Sequence, residues 1–298
     1  MMHNNQIHTD TPLVTHLINQ QFPQYRSLEI KKLDTSGTVN AIYRLGHELV
    51  AKFPLRLIDA TFCYEHMQAE AAAMAEISQY THLPCSQIIA IGQADASFPM
   101  PWVIQNWLEG DIATPSGFAS CNTLAQDISD LIQTLRSANT QDRHFDGKGR
   151  GGTLTNHDDW ILTCLKNSKN LLDVDTLQSV WTRLRGLPQT QADVMSHKDL
   201  IPANLLVQNQ RLTGLLDCGS FGPADPALDL VVAWHLFDPP QRALIRENLQ
   251  STEIEWKRGA AWAFQQAIGL VWYYEKTNPA MRELGKSTLT RIMTDPEI

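Results

Sequence analysis

The chain is poor in the features that mark several large protein classes. Basic residues are the minority, 24 Lys and Arg against 32 Asp and Glu for a formal net charge of −8. That balance argues against a general binder of nucleic acid, which needs a basic face for the phosphates. Long apolar runs are missing too: the longest, around Leu228 to Phe237, contains His235 and is too short to cross a bilayer. Met1 to His8 combine neither a basic start nor an apolar stretch, so no secretory signal is read and a cytoplasmic location is expected. The five cysteines, Cys63, Cys85, Cys121, Cys164 and Cys218, have no paired or ligand-like spacing and are read as reduced core or surface thiols. Repeats of fixed period and low-complexity segments are absent. What remains is a folding composition, 43% hydrophobic and 19% charged, in 298 residues. That length exceeds the usual single core and implies one bilobal unit or two domains.

Chemistry concentrates in one run, Ser196-His197-Lys198-Asp199-Leu200-Ile201-Pro202-Ala203-Asn204-Leu205-Leu206, followed by Asp217. Histidine, any residue, aspartate, four residues and asparagine is the layout of a phosphoryl-transfer catalytic loop. In that layout the aspartate takes the acceptor hydroxyl's proton and the asparagine holds Mg²⁺. Asp199 is therefore the candidate base and Asn204 a candidate metal ligand. Between Asn204 and Asp217, Leu205-Leu206-Val207 and Leu212 to Leu216 are short apolar runs flanking Gln208 to Arg211, which predicts a β-hairpin. A hairpin returns the chain beside its start, so Asp217 would share a hard cation with Asn204. Singly, each of these residues reads as a polar turn residue; as a spaced set they point to a metal site.

With these residues in view, the sequence resembles the aminoglycoside phosphotransferase-like kinases, a family that also includes macrolide, choline-type and other small-molecule kinases. The resemblance is carried by Ser36 to Leu45, Val50 to Pro54, Pro101 to Gly110, the catalytic run and Asp225-Pro226-Ala227-Leu228-Asp229-Leu230. It implies an α+β, bilobal protein-kinase-like fold, with a small antiparallel-sheet N-lobe and a larger, mainly helical C-lobe. Residues 1–105 would form the nucleotide-binding lobe and 106–298 the catalytic and substrate-binding lobe.

In the first third, Leu28 to Ile30 and Ala41 to Leu45 alternate as strands, Gly46-His47-Glu48 turns, and Leu49 to Phe53 returns antiparallel. The preceding loop, Ser36-Gly37-Thr38, would lie over a triphosphate and offer backbone amides and hydroxyls, although it is glycine-poor for that task. Lys52 falls on the face opposite Ala51 and Phe53, and a lysine there is costly unless paired. The kinase resemblance gives it α- and β-phosphate oxygens and a glutamate from the next helix, with Glu70 favoured and Glu65 competing. Pro99, Pro101 and Trp102 to Trp107 read as a last strand entering a linker broken by Gly110. The resemblance makes this stretch the hinge, with Asn106 and Leu108 as the adenine contacts.

Beyond the hinge the period becomes helical. Leu124, Ile128, Leu131, Ile132 and Leu135 form one face; Leu177, Val180, Trp181 and Leu184 form another after a cap-like Asp175-Thr176-Leu177-Gln178. Trp256, Ala260, Phe264, Ala267 and Val271 form a third, stopped at Asn278-Pro279. Asp146 to Gly152 is glycine-rich but lacks the Lys-Ser ending and helix start of a P-loop, so it reads as a mobile surface loop bordering the acceptor pocket. Lys198 stands where the family commonly has glycine, and Cys218 where protein kinases have the metal motif's phenylalanine. Lys198 either neutralises phosphoryl charge or points outward, and His197 braces the loop by packing. One of Asp225 and Asp229, at an expected helix start, would brace the loop through backbone amides.

The expectation is a kinase that uses ATP, or GTP, and Mg²⁺ to phosphorylate a hydroxyl of a small molecule. The acceptor would be an aminoglycoside, a macrolide or a housekeeping metabolite, and neither a nucleic acid nor a membrane is a partner. The competing reading is a nucleotide-binding protein or pseudokinase without transfer activity.

Overall fold

The computed structural model describes residues 7–33 and 40–298. Its N-terminal part is built on a five-stranded antiparallel sheet. The strands are β1 (Ile30–Lys32), β2 (Asn40–Leu45), β3 (Leu49–Pro54), β4 (Ile88–Gly92) and β5 (Trp102–Asn106), in the order β1-β2-β3-β5-β4. Alternation sets the faces: Ala41, Tyr43 and Leu45 of β2 point inward, as do Ala51 and Phe53 of β3. Lys52 pairs with Ile42 on one side and Val103 on the other, so it projects from the middle of the sheet on the opposite face. The first core lies under the inward face, where Phe53 stacks on Trp102 with ring centroids 4.7 Å apart. Helix α1 (Thr11–Gln21) adds Val14, Leu17 and Ile18 to it, and its N-cap Asp10 accepts from the Leu13 N–H.

Helix α2 (Ala60–Ile77), capped by Asp59, ties this core to a second one. Cys63 and Met67 pack into the sheet's core, whereas Met74 and Ile77 join the larger C-terminal core. One rigid element thus reaches into both halves, which fixes how its cleft-facing side chains sit against each.

The C-terminal part is mainly helical: α3 (Pro115–Phe118), α4 (Asn122–Ser137), α5 (Asp158–Asn167), α6 (Val174–Leu184), α7 (Val231–Leu236), α8 (Pro239–Asn248), α9 (Glu253–Tyr273) and α10 (Pro279–Met293). The three predicted apolar faces are buried on α4, α6 and α9. Two expected ends differ. The α6 cap is Asp173, two residues before the expected one, because its carboxylate reaches the Thr176 N–H and its side-chain hydroxyl. Helix α9 stops at Tyr273, and Asn278-Pro279, read as its stop, starts α10 instead: Asn278 accepts from the Met281 N–H.

Short strands carry the catalytic run. They are β6 (Asp111–Ile112), β7 (Val194–Ser196), β8 (Leu205–Gln208), β9 (Arg211–Leu215) and β10 (Gly222–Ala224), with β7 pairing β10 and β8 lying between β6 and β9. The predicted hairpin is β8–β9, turned by Asn209 and Gln210 at φ of 53° and 63°, as a tight primed turn requires. Pro84 to Ser86, entering β4, runs beside the end of β9: Leu215 donates to the Pro84 carbonyl and Ser86 to the Leu215 carbonyl, both at 2.9 Å. The two halves therefore join next to Asp217. Among the described residues no helix is long and apolar enough to cross a membrane.

His235 on α7 is fully buried, its ring nitrogens 2.9 Å from Thr288 Oγ1 and 2.8 Å from Gln266 Oε1. Burial pushes its pKa down to about 4, opposed by the Gln266 contact and helped by Arg150 and Arg291. An unfolded histidine binds its proton near pH 6.5, so between that value and about 4 the unfolded state holds the extra proton and stability rises with pH. Acidifying to pH 5 should cost roughly 2 kcal/mol from this group. Denaturant titrations of the wild type and His235→Gln across that range should show a shallower slope in the variant.

Candidate active site

Asp199 sits between β7 and the single 3-10 turn Pro202–Asn204. The chain leaves β7 through Lys198 at φ 67°, a left-handed backbone that costs a non-glycine residue free energy and must be held from outside. Asp229 holds it: one carboxylate oxygen accepts from the His197 N–H at 2.9 Å and the other from the Lys198 N–H at 3.1 Å. Ser196 Oγ also accepts from the Lys198 N–H, at 3.0 Å. Of the two aspartates left open by the sequence, Asp229 is the one bonded to these amides. Asp225 instead lies fully buried with Arg258 Nε at 2.9 Å and Trp262 Nε1 at 2.7 Å. Both occupy or adjoin the 3-10 turn Leu228–Leu230 ahead of α7, not an α-helical first turn.

The hairpin brings the second acid back. His197 is buried, with Nε2 3.1 Å from the Leu216 carbonyl, and the Leu216 N–H donates to the Asn204 carbonyl at 2.9 Å. Asp217 follows at once, itself left-handed at φ 54°. Asn204 donates through Nδ2 to the Asp199 backbone oxygen at 2.9 Å and to Asp199 Oδ2 at 3.0 Å, and its amide oxygen has no hydrogen bond among the described residues. An amide oxygen and a carboxylate are the hard donors that Mg²⁺ prefers, and a cation that keeps waters and phosphate oxygens needs only one or two protein ligands. Asn204 and Asp217 fit such an ion. Among the described residues no group of three or more His, Cys, Asp or Glu forms an all-protein metal site.

Burial raises the Asp199 pKa above the usual carboxylate value, and Asp217 adds to this. Arg150 opposes it most, with His197 and the Asn204 hydrogen bond contributing. Arg150 Nη2 lies 2.7 Å from Asp199 Oδ1. This contact was missed in the sequence, where Asp146 to Gly152 read as a surface loop. Asp146 to Gly149 are exposed, as that reading has it, but the end of the loop is wedged: Gly151, at φ 126°, is placed so that a Cβ would stand 2.8 Å from Ala224 Cβ, and its carbonyl accepts from the Asp225 N–H at 2.8 Å. An arginine set among glycines was the available signal. Lys198 lies against Phe145, its Nζ 5.5 Å from the ring centroid, and burial depresses its pKa against the pull of Asp146, Asp229 and Asp193.

Lys52, Glu70 and Asp217 line one cavity of about 300 Å³ with Met74, Val103 and Gln105. Lys52 and Glu70 face each other across it without an ion pair; Glu70 Oε1 instead lies 3.5 Å from His66 Nδ1. Burial raises the Glu70 pKa, Asp217 adds to the rise, and His66 and Lys52 counter it. Gly219 leaves room for Glu70, since a Cβ there would stand 2.9 Å from Glu70 Cγ. Glu65, the competing partner, is exposed. At the hinge, Asn106 is engaged internally: Oδ1 accepts from the Gln87 N–H, Nδ2 donates to the Cys85 carbonyl, and its own N–H donates to the Gln87 carbonyl. Trp107 donates to the Glu48 carbonyl, whereas among the described residues the Leu108 N–H has no backbone partner. Ser36, Gly37 and Thr38 lie outside the described residues. A larger cavity of about 590 Å³, between α8 and the last residues, is lined by none of these groups.

The profile of the phosphotransferase enzyme family (APH) matches residues 31–262. No curated protein matches the sequence. Among solved structures, the GDP complex of wild-type aminoglycoside 2'-phosphotransferase-IIIa superposes with a TM-score of 0.69 at 17% identity, covering 96% of this chain and 99% of that one. The gentamicin complex of APH(2")-IIa gives 0.60 at 15% identity and 98% of each chain. The apoenzyme of macrolide 2'-phosphotransferase MphH from Brachybacterium faecium gives 0.60 at 14% identity, covering 94% and 97%.

Removing the Asp229 carboxylate leaves the buried His197 N–H without an acceptor and the part-buried Lys198 N–H with Ser196 Oγ alone, and it releases the left-handed turn at Lys198. Asp229→Ala should cost roughly 2–4 kcal/mol in a denaturant titration, and Asp229→Asn, which keeps one acceptor oxygen, about half as much.

Proposed function

We propose, from the premise that the chain belongs to the phosphotransferase enzyme family, that it moves the γ-phosphoryl group of ATP or GTP to a hydroxyl of a small molecule with Asp199 as the base. One observation carries this reading: the hydrogen bonds of Leu216 to Asn204 and His197 draw Asp199, Asn204 and Asp217 to one point beside the cavity that holds Lys52. Within that cavity Lys52 binds the α- and β-phosphate oxygens, and Glu70 orients it once the phosphates are present. Residues 1–105 serve as the nucleotide-binding lobe and 106–298 as the catalytic and acceptor-binding lobe. Leu108 offers adenine its N–H, and Asn106 shapes the hinge from beneath.

Asn204 and Asp217 hold the metal; Mg²⁺, when bound, neutralises charge on the phosphates. Asp199 accepts the proton from the acceptor hydroxyl as its oxygen bonds to the γ-phosphorus and the bond to the nucleoside diphosphate breaks. The nucleophile is oriented by the same carboxylate that takes its proton, so positioning and charge stabilisation supply most of the rate. Asn204, by donating to Asp199 Oδ2, fixes which oxygen faces the phosphoryl donor.

The reading is tested by nucleotide release. Asp199→Asn should lower turnover by about 10²–10⁴-fold while magnesium-dependent stabilisation by ATP or GTP persists in a thermal shift. Turnover that survives the substitution would sink the assignment of the base, and nucleotide binding without turnover against any hydroxyl compound would leave a binding protein. Because the base works only when ionised, the wild-type rate should fall as the pH falls through the range in which Asp199 takes up its proton. A kcat/KM profile over pH checks the sign.

A further inference from the structure

Arg150 is an unusual neighbour for a carboxylate that must receive a hydroxyl. A guanidinium carries five N–H donors in a flat fork. Arg150 spends one of them, Nη2, on Asp199 Oδ1, and its Nε is buried with no partner among the described residues. The two N–H groups of Nη1 have no hydrogen bond among the described residues either, and a guanidinium edge left open beside a carboxylate can take an oxyanion in charge-assisted hydrogen bonds. The placement is built into the loop and does not arise from a wandering side chain. Gly151 is bonded to Asp225, the Gly152 carbonyl accepts from Arg258 Nη2 at 3.0 Å, and Phe145 closes against both glycines so that neither has room for a Cβ.

The side of the base that Arg150 occupies matters. Asp199 Oδ2 faces Asn204, and with it the metal and the phosphoryl donor; Oδ1 faces Arg150. On the phosphotransferase reading, with the phosphoryl donor on the Asn204 side, the acceptor would approach from the side of the guanidinium. A polycationic acceptor would bring like charge against Arg150, whereas an acidic one would find a free pair of donors.

We propose that Arg150 is the acceptor-specificity residue of this site and binds a carboxylate or phosphate group carried by the acceptor, so that the substrate class is hydroxy acids or phosphorylated polyols and not polycationic amines. This rests on the phosphotransferase reading above. The same donors would also suit the phosphoryl group in transfer, and the test separates the two sources.

The experiment measures magnesium-dependent nucleotide release by the full chain with matched acceptors: glycerate, glycerol 3-phosphate, glycerol and serinol; gluconate, glucose and glucosamine; and kanamycin. The wild type should favour the anionic members at least tenfold in kcat/KM. Arg150→Gln should raise KM for them more than tenfold and bring the anionic-to-neutral ratio towards one, and Arg150→Lys should restore part of the ratio. A thermal shift establishes that each variant is folded. Preference for the neutral or amine members, silence of every anionic member while Mg-ATP binds, or an anionic preference that survives in Arg150→Gln overturns the proposal and leaves the kinase reading standing. A uniform fall in kcat across all acceptors overturns it too, by assigning Arg150 to the transferred phosphoryl group. Absence of any magnesium-dependent stabilisation by ATP or GTP in the wild type overturns the kinase reading and this proposal with it.

Discussion

The site depends on one carboxylate that takes no part in the chemistry. Asp229 accepts from two consecutive backbone amides, His197 and Lys198, and so holds open a left-handed turn that the intervening non-glycine residue would otherwise leave. Release that turn and Asp199 points elsewhere, because its position is set by the backbone that leaves β7 at this corner. From the held corner, His197 reaches the Leu216 carbonyl, and Leu216 in turn reaches the Asn204 carbonyl. These hydrogen bonds fix the three candidate site residues against one another without a covalent link.

Asp225 performs the parallel task one layer further out. Buried with Arg258 and Trp262, it is an ion pair whose desolvation is offset by hydrogen bonds on both carboxylate oxygens, including the Ala227 N–H at 3.0 Å. Such pairs add little net stability compared with an apolar isostere, so its value here is geometric. The Asp225 backbone anchors Gly151, and Arg258 anchors Gly152, which sets the direction in which Arg150 leaves the loop. Two aspartates four residues apart thus place Asp199 and the guanidinium beside it.

This division explains what the sequence made legible. Asp199, Asn204 and Asp217 could be read because their spacing is a consequence of local geometry, a short turn followed by a two-residue hairpin, and local geometry is written in contiguous residues. Lys52 was legible because it is the one charged residue in an otherwise apolar strand. Strands β2 and β3 and the three helical faces followed from period, whereas the sheet as a whole came with the family resemblance and β4 was not read. The choice between Asp225 and Asp229 was not legible, since one precedes and the other lies within the same short turn and only the partners across the core, Arg258 for one and the β7 corner for the other, distinguish them. The α9 end was missed because Asn-Pro is equally good as a stop and as the start of the next helix. Arg150 was hidden for a similar reason: glycines that permit a surface loop also permit close packing, and the contacts that decide between them, with Ala224 and Phe145 of the loop itself, exist only once the chain is folded.

Overall charge and local charge also part company here. A net charge of −8 is spread over a whole surface and favours cations only through a field that salt screens within about 10 Å. On the proposed reading the acceptor meets a different environment, a partly buried guanidinium in hydrogen-bond contact with Asp199. Short contacts inside a poorly solvated cleft outweigh a diffuse surface potential, because the effective dielectric falls as water is excluded. A family resemblance that includes enzymes acting on aminoglycosides therefore leaves the charge of this chain's acceptor open, and Arg150 is the group whose free donors weigh on it most directly.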